Sequence, residues 1–179
     1  MTPATSDQNP TRVTVDGPSL RRTMGRFATG VAVVTTGTES DPHGMTVNSL
    51  TSVSLDPPLV LVSLTKDSRT TQTVRNTATF AISILSVRQE QLALRFARRG
   101  EDHFEGLPLE YEHHDVPVVP GALAHVECVI ESEVLAGDHV LYLGKVVRTC
   151  DRDGEPLAFY SGKFGEFAAS GDAETHWFF

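Results

Sequence analysis

The spacing of hydrophobic positions changes along the chain, and each change predicts an element. Apolar residues recur at helical spacing between Ser19 and Gly30, which predicts a helix over this range. The β-branched run Val31–Thr36 and the alternating run Met45–Leu55 then predict two strands, joined by a turn over residues 37–44 that is rich in Gly, Ser and Asp. The polar face of the second strand carries hydroxyl and amide side chains.

The rest of the chain continues this mainly β pattern. Apolar runs predict further strands over residues 59–64, 80–85, 122–134, 140–149 and 156–160, before an irregular end. Helical spacing predicts helices over residues 72–76 and 87–99. Gly137-Asp138 separates the two longest strands and is typical of a hairpin turn. Because strands do not alternate with helices, we expect an antiparallel barrel or sandwich with peripheral helices.

Charge and composition exclude several classes of protein. The formal net charge is −8, and an acidic chain without a Lys/Arg run is a poor partner for nucleic acid. No stretch approaches the roughly 20 apolar residues of a membrane span, and the polar residues 1–16 do not resemble a signal peptide. Cys128 and Cys150 lie in apolar runs and form no CxxC pair, so we expect buried, reduced thiols in a cytoplasmic protein.

Common nucleotide, metal and hydrolase motifs are missing from the sequence. It contains no G-x-G-x-x-G, Walker A, HExxH or G-x-S-x-G pattern. The seven histidines, including the pair His113-His114, lack metal-ligand spacing, so we expect no metal. The aromatic end of the chain, His176–Phe179, is expected to pack on the body or on a partner subunit.

Two segments carry polar groups that suit a flat heterocycle and its phosphate. Pro42–Ser49 places hydroxyls and an amide along one strand face, where they can hydrogen-bond a polar ring; surface threonines are the alternative interpretation. Ser63–Thr71 combines hydroxyls with Lys66 and Arg69 in a turn, which can cradle a phosphate or can be a polar surface turn.

Two further segments allow a functional and a structural interpretation. Arg95–Arg99 joins an aromatic ring to three arginines, which can stack a ring and reach a phosphate. An amphipathic helix with solvated arginines gives the same pattern. In Gly137-Asp138-His139 the first two residues serve a turn, and the histidine either faces a ligand or is merely exposed.

Taken in order, these segments resemble the flavin reductase-like family. The resemblance runs from about Leu20 to Phe164. It rests on ordered motifs along the chain: Phe27–Val31, Gly44–Ser49, Ser52–Val60, Gly121–Ala124, Glu127-Cys128, Gly137–His139 and Gly144–Val146.

The resemblance implies a fold and a domain organisation. The expected fold is an antiparallel split β-barrel of the FMN-binding split-barrel type, usually a homodimer with flavin near the subunit interface. Residues 18–168 would form this domain, preceded by a flexible arm over residues 1–17 and followed by a tail over residues 169–179.

The resemblance also implies a function. The chain would reduce FMN or FAD with NADH or NADPH, by hydride transfer to flavin N5, and would supply reduced flavin to a partner monooxygenase. The alternatives are a tightly flavin-bound oxidase of the same fold and a non-catalytic flavin-binding module.

The family pattern assigns roles to individual residues. The flavin ring would contact Pro42, His43, Gly44, Met45, Thr46, Asn48 and Ser49, with Ser63, Leu64 and Thr65 continuing that wall. The flavin phosphate would contact Ser68, Arg69 and Thr70, and the distal part of the flavin would contact Arg95 and Phe96. The nicotinamide nucleotide would face His139, Phe159, Tyr160, Ser161 and Gly162, with His139 orienting the ring rather than transferring a proton.

Overall fold

The computed structural model of the chain describes residues 15–100, 102–108, 110–111 and 116–168. Its helices are α1 (Gly17–Met24), α2 (Arg69–Thr77) and α3 (Glu90–Ala97), with a 3-10 turn at Val87–Gln89 before α3. Its strands are β1 (Thr29–Gly30), β2 (Ala32–Thr38), β3 (Asp41–Val47), β4 (Thr51–Leu55), β5 (Pro58–Thr65), β6 (Thr79–Ile84), β7 (Glu110–Tyr111), β8 (Pro117–Val118), β9 (Ala124–Ala136), β10 (His139–Asp151), β11 (Leu157–Tyr160) and β12 (Lys163–Glu166).

Every strand in the described part of the chain pairs with its neighbours in antiparallel orientation. Seven of them form one sheet in the order β3-β2-β6-β9-β10-β5-β4, while β1, β11 and β12 form a second sheet and β7 pairs with β8. The expected mainly β, antiparallel class is therefore confirmed. The Ser49 hydroxyl, just after β3, bonds both the N–H and the C=O of Ser63 on β5, so the sheet curls until its first and sixth strands approach each other.

The first core cluster lies on the inner face of the seven-stranded sheet. Leu64, Phe80 and Tyr142 are fully buried there. The Tyr142 hydroxyl donates to the Thr71 carbonyl at 3.2 Å, which fixes α2 over the sheet. At Gly144 an added Cβ would lie 2.5 Å from Phe80 Cζ, so this position of β10 has no room for a side chain.

A second core cluster lies on the opposite face of β2. Val33, Leu85, Phe96 and Leu157 are buried there, where α3 and β11 cover the sheet. Since β2 is covered on both faces, its first five residues are all buried rather than alternately buried and exposed.

Several sequence predictions of element bounds are wrong, and backbone contacts explain why. The first helix ends at Met24, not Gly30, because Gly25 caps it and Thr29-Gly30 instead pairs with β11. The predicted strand over residues 45–55 is two strands, because the chain leaves β2 after Val47 and joins β5 as β4.

The predicted turn over residues 37–44, the helix that became α2 and the end of the chain also differ from expectation. Most of residues 37–44 belong to β2 and β3, with the turn at residues 39–40. Helix α2 begins at Arg69, three residues before the prediction, because the Ser68 side chain caps it by accepting from Thr71 N–H at 3.0 Å. The expected irregular end contains β12.

The two cysteines have different environments. Cys128 is buried as expected, but Cys150 is exposed. The reason is that β5 covers β10 only as far as Lys145, so the last residues of β10 extend beyond that neighbour.

The predictions for the N-terminal arm up to residue 14, for His113-His114 and for the tail over residues 169–179 lie outside the described residues. Within those residues, every helix is too short or too polar to cross a membrane.

Candidate functional site

A cavity of about 760 Å³ opens between β3, the start of α2 and the end of α3. Nine residues expected to bind flavin line it: Pro42, His43, Gly44, Met45, Thr46, Thr65, Ser68, Arg69 and Phe96. They come from four separate stretches of sequence, so the fold brings together the strand face, the turn and the helix end that sequence analysis had treated as separate segments.

The β3 wall of the cavity is fixed to α3 through Thr46. The Thr46 hydroxyl donates to the Ala93 carbonyl at 2.7 Å. Because the Thr46 hydroxyl already donates its proton to this carbonyl, it can only accept a hydrogen bond from a ligand. Nearby, Gly44 approaches the buried ring of Phe96, which packs edge-on against Phe104 with centroids 5.0 Å apart. The floor of the cavity is thus aromatic and rigid.

The start of α2 forms the opposite wall. The Ser68 hydroxyl donates to Thr71 Oγ1, and that hydroxyl donates in turn to the Thr65 carbonyl, both at 2.8 Å. This chain of bonds holds the turn between β5 and α2. The first N–H groups of a helix have no intrahelical acceptor and attract anions, and the exposed Arg69 guanidinium stands beside them.

Charges of both signs line the cavity. Arg98 and Arg99, which sequence analysis singled out beside Arg95, lie at the end of α3 together with Gly100. On the β3 side, the Asp41 carboxylate is 3.2 Å from His43 Nε2. Asp67 and Asp102 complete the acidic groups. A bound phosphate would therefore be held by the arginines on α2 and after α3.

The segment after α3 also contributes to the site, although its sequence pattern did not indicate this. His103 lines the cavity and contacts backbone carbonyls on both sides, with Nδ1 3.2 Å from Gly44 O and Nε2 2.8 Å from Arg98 O. Residues 100–108 have no periodic hydrophobic pattern, and only the apolar residues Phe104 and Leu107, which pack in the second core cluster, signal that this segment folds back on the body.

Several expected ligand residues lie outside this cavity. Asn48 is exposed beyond the end of β3, while Leu64 and Thr70 are buried in the body of the protein. Ser49 and Ser63 also lie outside the cavity lining, and the Ser49 hydroxyl is hydrogen-bonded to the backbone of Ser63. Arg95 donates to the carbonyls of Asp102 and Glu105 and faces a neighbouring depression of about 430 Å³.

His139 lies next to the cavity wall, although it does not belong to the lining. It pairs across the sheet with Thr65, which does line the cavity. Its Nδ1 is 2.8 Å from the Asp138 carboxylate, and this hydrogen bond holds the pKa of Asp138 below its usual value. With Nδ1 held by the carboxylate, Nε2 is the ring nitrogen available to a ligand.

The segment expected to face nicotinamide lies in the second sheet. Phe159 packs on Phe164 with centroids 5.4 Å apart. The Tyr160 hydroxyl accepts from Arg26 at 3.4 Å, and this bond lowers the pKa of Tyr160. Ser161 bonds the Gly25 carbonyl through its N–H and hydroxyl, and Gly162 follows at φ +79°. This segment and His139 belong to different sheets.

Comparison with known proteins identifies the family. The flavin reductase like domain model matches residues 24–168. The chain is 47% identical over 150 residues to the FMN reductase (NADH) SmoA of Agrobacterium fabrum, covering 84% of this chain and 86% of that protein. It is 33% identical over 165 residues to the flavin-dependent monooxygenase reductase subunit HsaB of Rhodococcus jostii, and the match covers 92% of this chain and 85% of that protein.

The structural comparison agrees. The Streptomyces globisporus NADH:FAD oxidoreductase, in complex with NAD and FAD fragments, matches with a TM-score of 0.82 and 42% sequence identity, covering 88% of this chain and 96% of that one. The chain belongs to the flavin reductase-like domain family, and the resemblance inferred from its sequence is confirmed.

Proposed function

We propose that this chain is an NADH-dependent flavin reductase that reduces FMN or FAD and supplies the reduced flavin to a partner monooxygenase. Relatives named as NADH-dependent flavin reductases and as a monooxygenase reductase subunit support this activity. The observation that carries the proposal is the cavity itself, which combines a polar strand edge, an aromatic floor at Phe96 and the Arg69 guanidinium at a helix N-terminus.

The lining residues fit a flavin. The backbone of β3 from Pro42 to Thr46, with the acceptor oxygen of Thr46, would meet the polar edge of the ring. The first turn of α2 and Arg69 would hold the phosphate. Arg98 and Arg99 would lie beside the distal part of FAD. When bound, flavin accepts a hydride from the nicotinamide, and the protein holds the two rings in place.

His139 has a positioning role in this proposal. The Asp138 carboxylate fixes its ring orientation through Nδ1, and its register partner Thr65 lines the cavity. The exposed Nε2 edge would bond the nicotinamide nucleotide, so that no protein group needs to act as a nucleophile. The second sheet would supply the remaining contacts to the nicotinamide nucleotide, from Phe159, Tyr160, Ser161 and Gly162.

We further propose a homodimeric split barrel, located in the cytoplasm. The bond between Ser49 and Ser63 supports the barrel, because it joins the residues just after β3, the first strand of the large sheet, to β5, the sixth. Exposed apolar side chains support a dimer: Leu55 on the edge strand β4 is 72% exposed and Leu135 near the end of β9 is 67% exposed.

The test is NADH and NADPH oxidation at 340 nm with purified protein and excess FMN, FAD or riboflavin under air. Oxidation that depends on added flavin is the expected result. Flavin that stays bound through gel filtration at nearly full occupancy would instead indicate an oxidase with resident flavin. Flavin binding without oxidation of either nucleotide would indicate a binding module and would overturn the proposal.

A further inference from the structure

His103 lies between two walls of the cavity and contacts each of them. Its Nδ1 faces the Gly44 carbonyl on β3 at 3.2 Å, and its Nε2 faces the Arg98 carbonyl just after α3 at 2.8 Å. The imidazole also lies 5.3 Å from the ring of Phe96, centroid to centroid. One side chain therefore connects the strand, the helix end and the aromatic floor.

The two carbonyl contacts impose a requirement on the protonation of the ring. A backbone carbonyl oxygen only accepts hydrogen bonds, and a neutral imidazole carries a single N–H. The neutral ring of His103 can satisfy one of the two carbonyls, and its other nitrogen then turns a lone pair toward the second oxygen. The imidazolium donates to both, and such charge-assisted bonds are stronger than neutral ones.

We propose that protonated His103 is a positioning residue that adds to the Thr46–Ala93 bond and holds β3 against the end of α3 beside the flavin cavity. This inference rests on the proposed function, because it assigns this clamp to the flavin site. When the ring loses its proton, it can no longer donate to both the Gly44 carbonyl and the Arg98 carbonyl, and one of these two hydrogen bonds is lost. The cavity then loosens, and flavin binds more weakly.

Other charged and titratable groups line the same cavity and belong to each element around His103. They are Asp41 and His43 on β3, Asp67 and Arg69 at the start of α2, Arg98 and Arg99 after α3, and the chain neighbour Asp102. The Asp102 carboxylate accepts from Phe104 N–H at 3.0 Å and shapes the turn that presents His103. Since His43 is the other histidine of the lining, the test has to separate the two rings.

The experiment measures the Kd for FMN and for riboflavin by quenching of flavin fluorescence, from about pH 5.5 to about pH 9. Riboflavin is included because it has no phosphate to titrate. The protonation of His103 is followed in the same samples by ¹⁵N NMR of the ring. The variants are His103→Gln, which is neutral and carries its donors on a single nitrogen, His103→Arg, which keeps its charge and several donors at every pH, and His43→Gln.

The expected result is that both Kd values rise about tenfold as the His103 ring loses its proton, which is the scale of one charge-assisted hydrogen bond. His103→Gln binds both flavins weakly throughout, His103→Arg binds them with little pH dependence, and His43→Gln keeps the wild-type pH step. Thermal unfolding of His103→Gln without flavin shows whether the variant is folded, so that weak binding is not mistaken for loss of structure.

Two results would overturn the inference: flavin affinity that does not follow the His103 signal, or a pH step that disappears in His43→Gln and persists in His103→Gln. Failure of the proposed function looks different. In that case the wild type shows no flavin-dependent NADH oxidation at any pH, whereas failure of the clamp leaves an active wild type whose flavin affinity is independent of His103.

Discussion

Gly44 lies so close to Phe96 that a Cβ atom on Gly44 would be 2.8 Å from Cε1 of that ring. The Phe96 ring is only 1% exposed and is in contact with the rings of Phe104 and His103. It cannot turn away without disturbing its neighbours. The contact places β3 directly on α3 and forms the floor of the cavity.

Replacing Gly44 with alanine is expected to destabilise the protein and weaken flavin binding. The added methyl group would also lie 3.1 Å from the Val34 carbonyl on β2, so both a packed ring and the backbone resist it. Overpacking of this kind costs about 2 kcal/mol, which corresponds to a fall of about 4–8 °C in Tm for a chain of this size. Differential scanning calorimetry and a flavin titration measure the two effects.

Gly165→Ala is the matched control for this substitution. Gly165 lies in the exposed strand β12, where an added Cβ would meet nothing within 4 Å. The control should change Tm by no more than about 2 °C. Equal losses in the two variants would show that crowding at Phe96 is not the cause.

The Arg69→Gln substitution is expected to separate phosphate binding from ring binding. Arg69 begins α2 and lines the cavity, where it would pair with the flavin phosphate. We expect KM for FMN to rise about tenfold, because a charge-assisted hydrogen bond is lost, and KM for riboflavin to stay the same. Steady-state NADH oxidation with each flavin measures both values. A similar rise for riboflavin would contradict a phosphate contact.

The His139→Ala substitution is expected to raise KM for NADH and to leave kcat within about twofold, since His139 would orient the nicotinamide rather than transfer a proton. Asp138→Asn should have a smaller effect in the same direction, because the carboxylate that holds Nδ1 is replaced by a neutral amide. Initial rates at saturating flavin give both constants. Unchanged KM in both variants would remove His139 from the nicotinamide site.

The two cysteines are expected to differ in reactivity. Burial, followed by the nearby Glu127 carboxylate, raises the pKa of Cys128 to about 12, and only the thiolate reacts readily. Cys150 is exposed. Ellman's reagent should therefore modify one thiol in the folded protein and two in denaturant, and Cys150→Ser should remove the fast reaction.

The same pKa shift predicts a loss of stability in alkali. The folded state holds the Cys128 proton up to about pH 12, whereas the unfolded chain releases it near the ordinary value of 9.0. The unfolded state then binds fewer protons, so the free energy of unfolding falls as the pH rises through this interval. Urea unfolding of wild type and of Cys128→Ala should show a shallower decline in the variant.

Local patterns were enough to predict the elements whose signals lie within a few residues. The β-branched and apolar runs identified β2, β5, β6, β9 and β10, and Gly137-Asp138 marked the hairpin between the last two. These features arise from backbone preference and side-chain alternation, which act between neighbours in the chain. The ordered motifs around them were also sufficient to indicate the family, which the comparison confirmed.

Only the tertiary structure decided where elements end and which residues meet. Thr29-Gly30 became a strand because β11 was available to pair with it, and Cys150 became exposed because β5 ends before it. The cavity joins Gly44, Phe96 and His103 across as many as 59 positions of sequence. Contacts of that separation depend on how the sheet curls and on which faces are covered, and the spacing of residues along one segment contains no information on either.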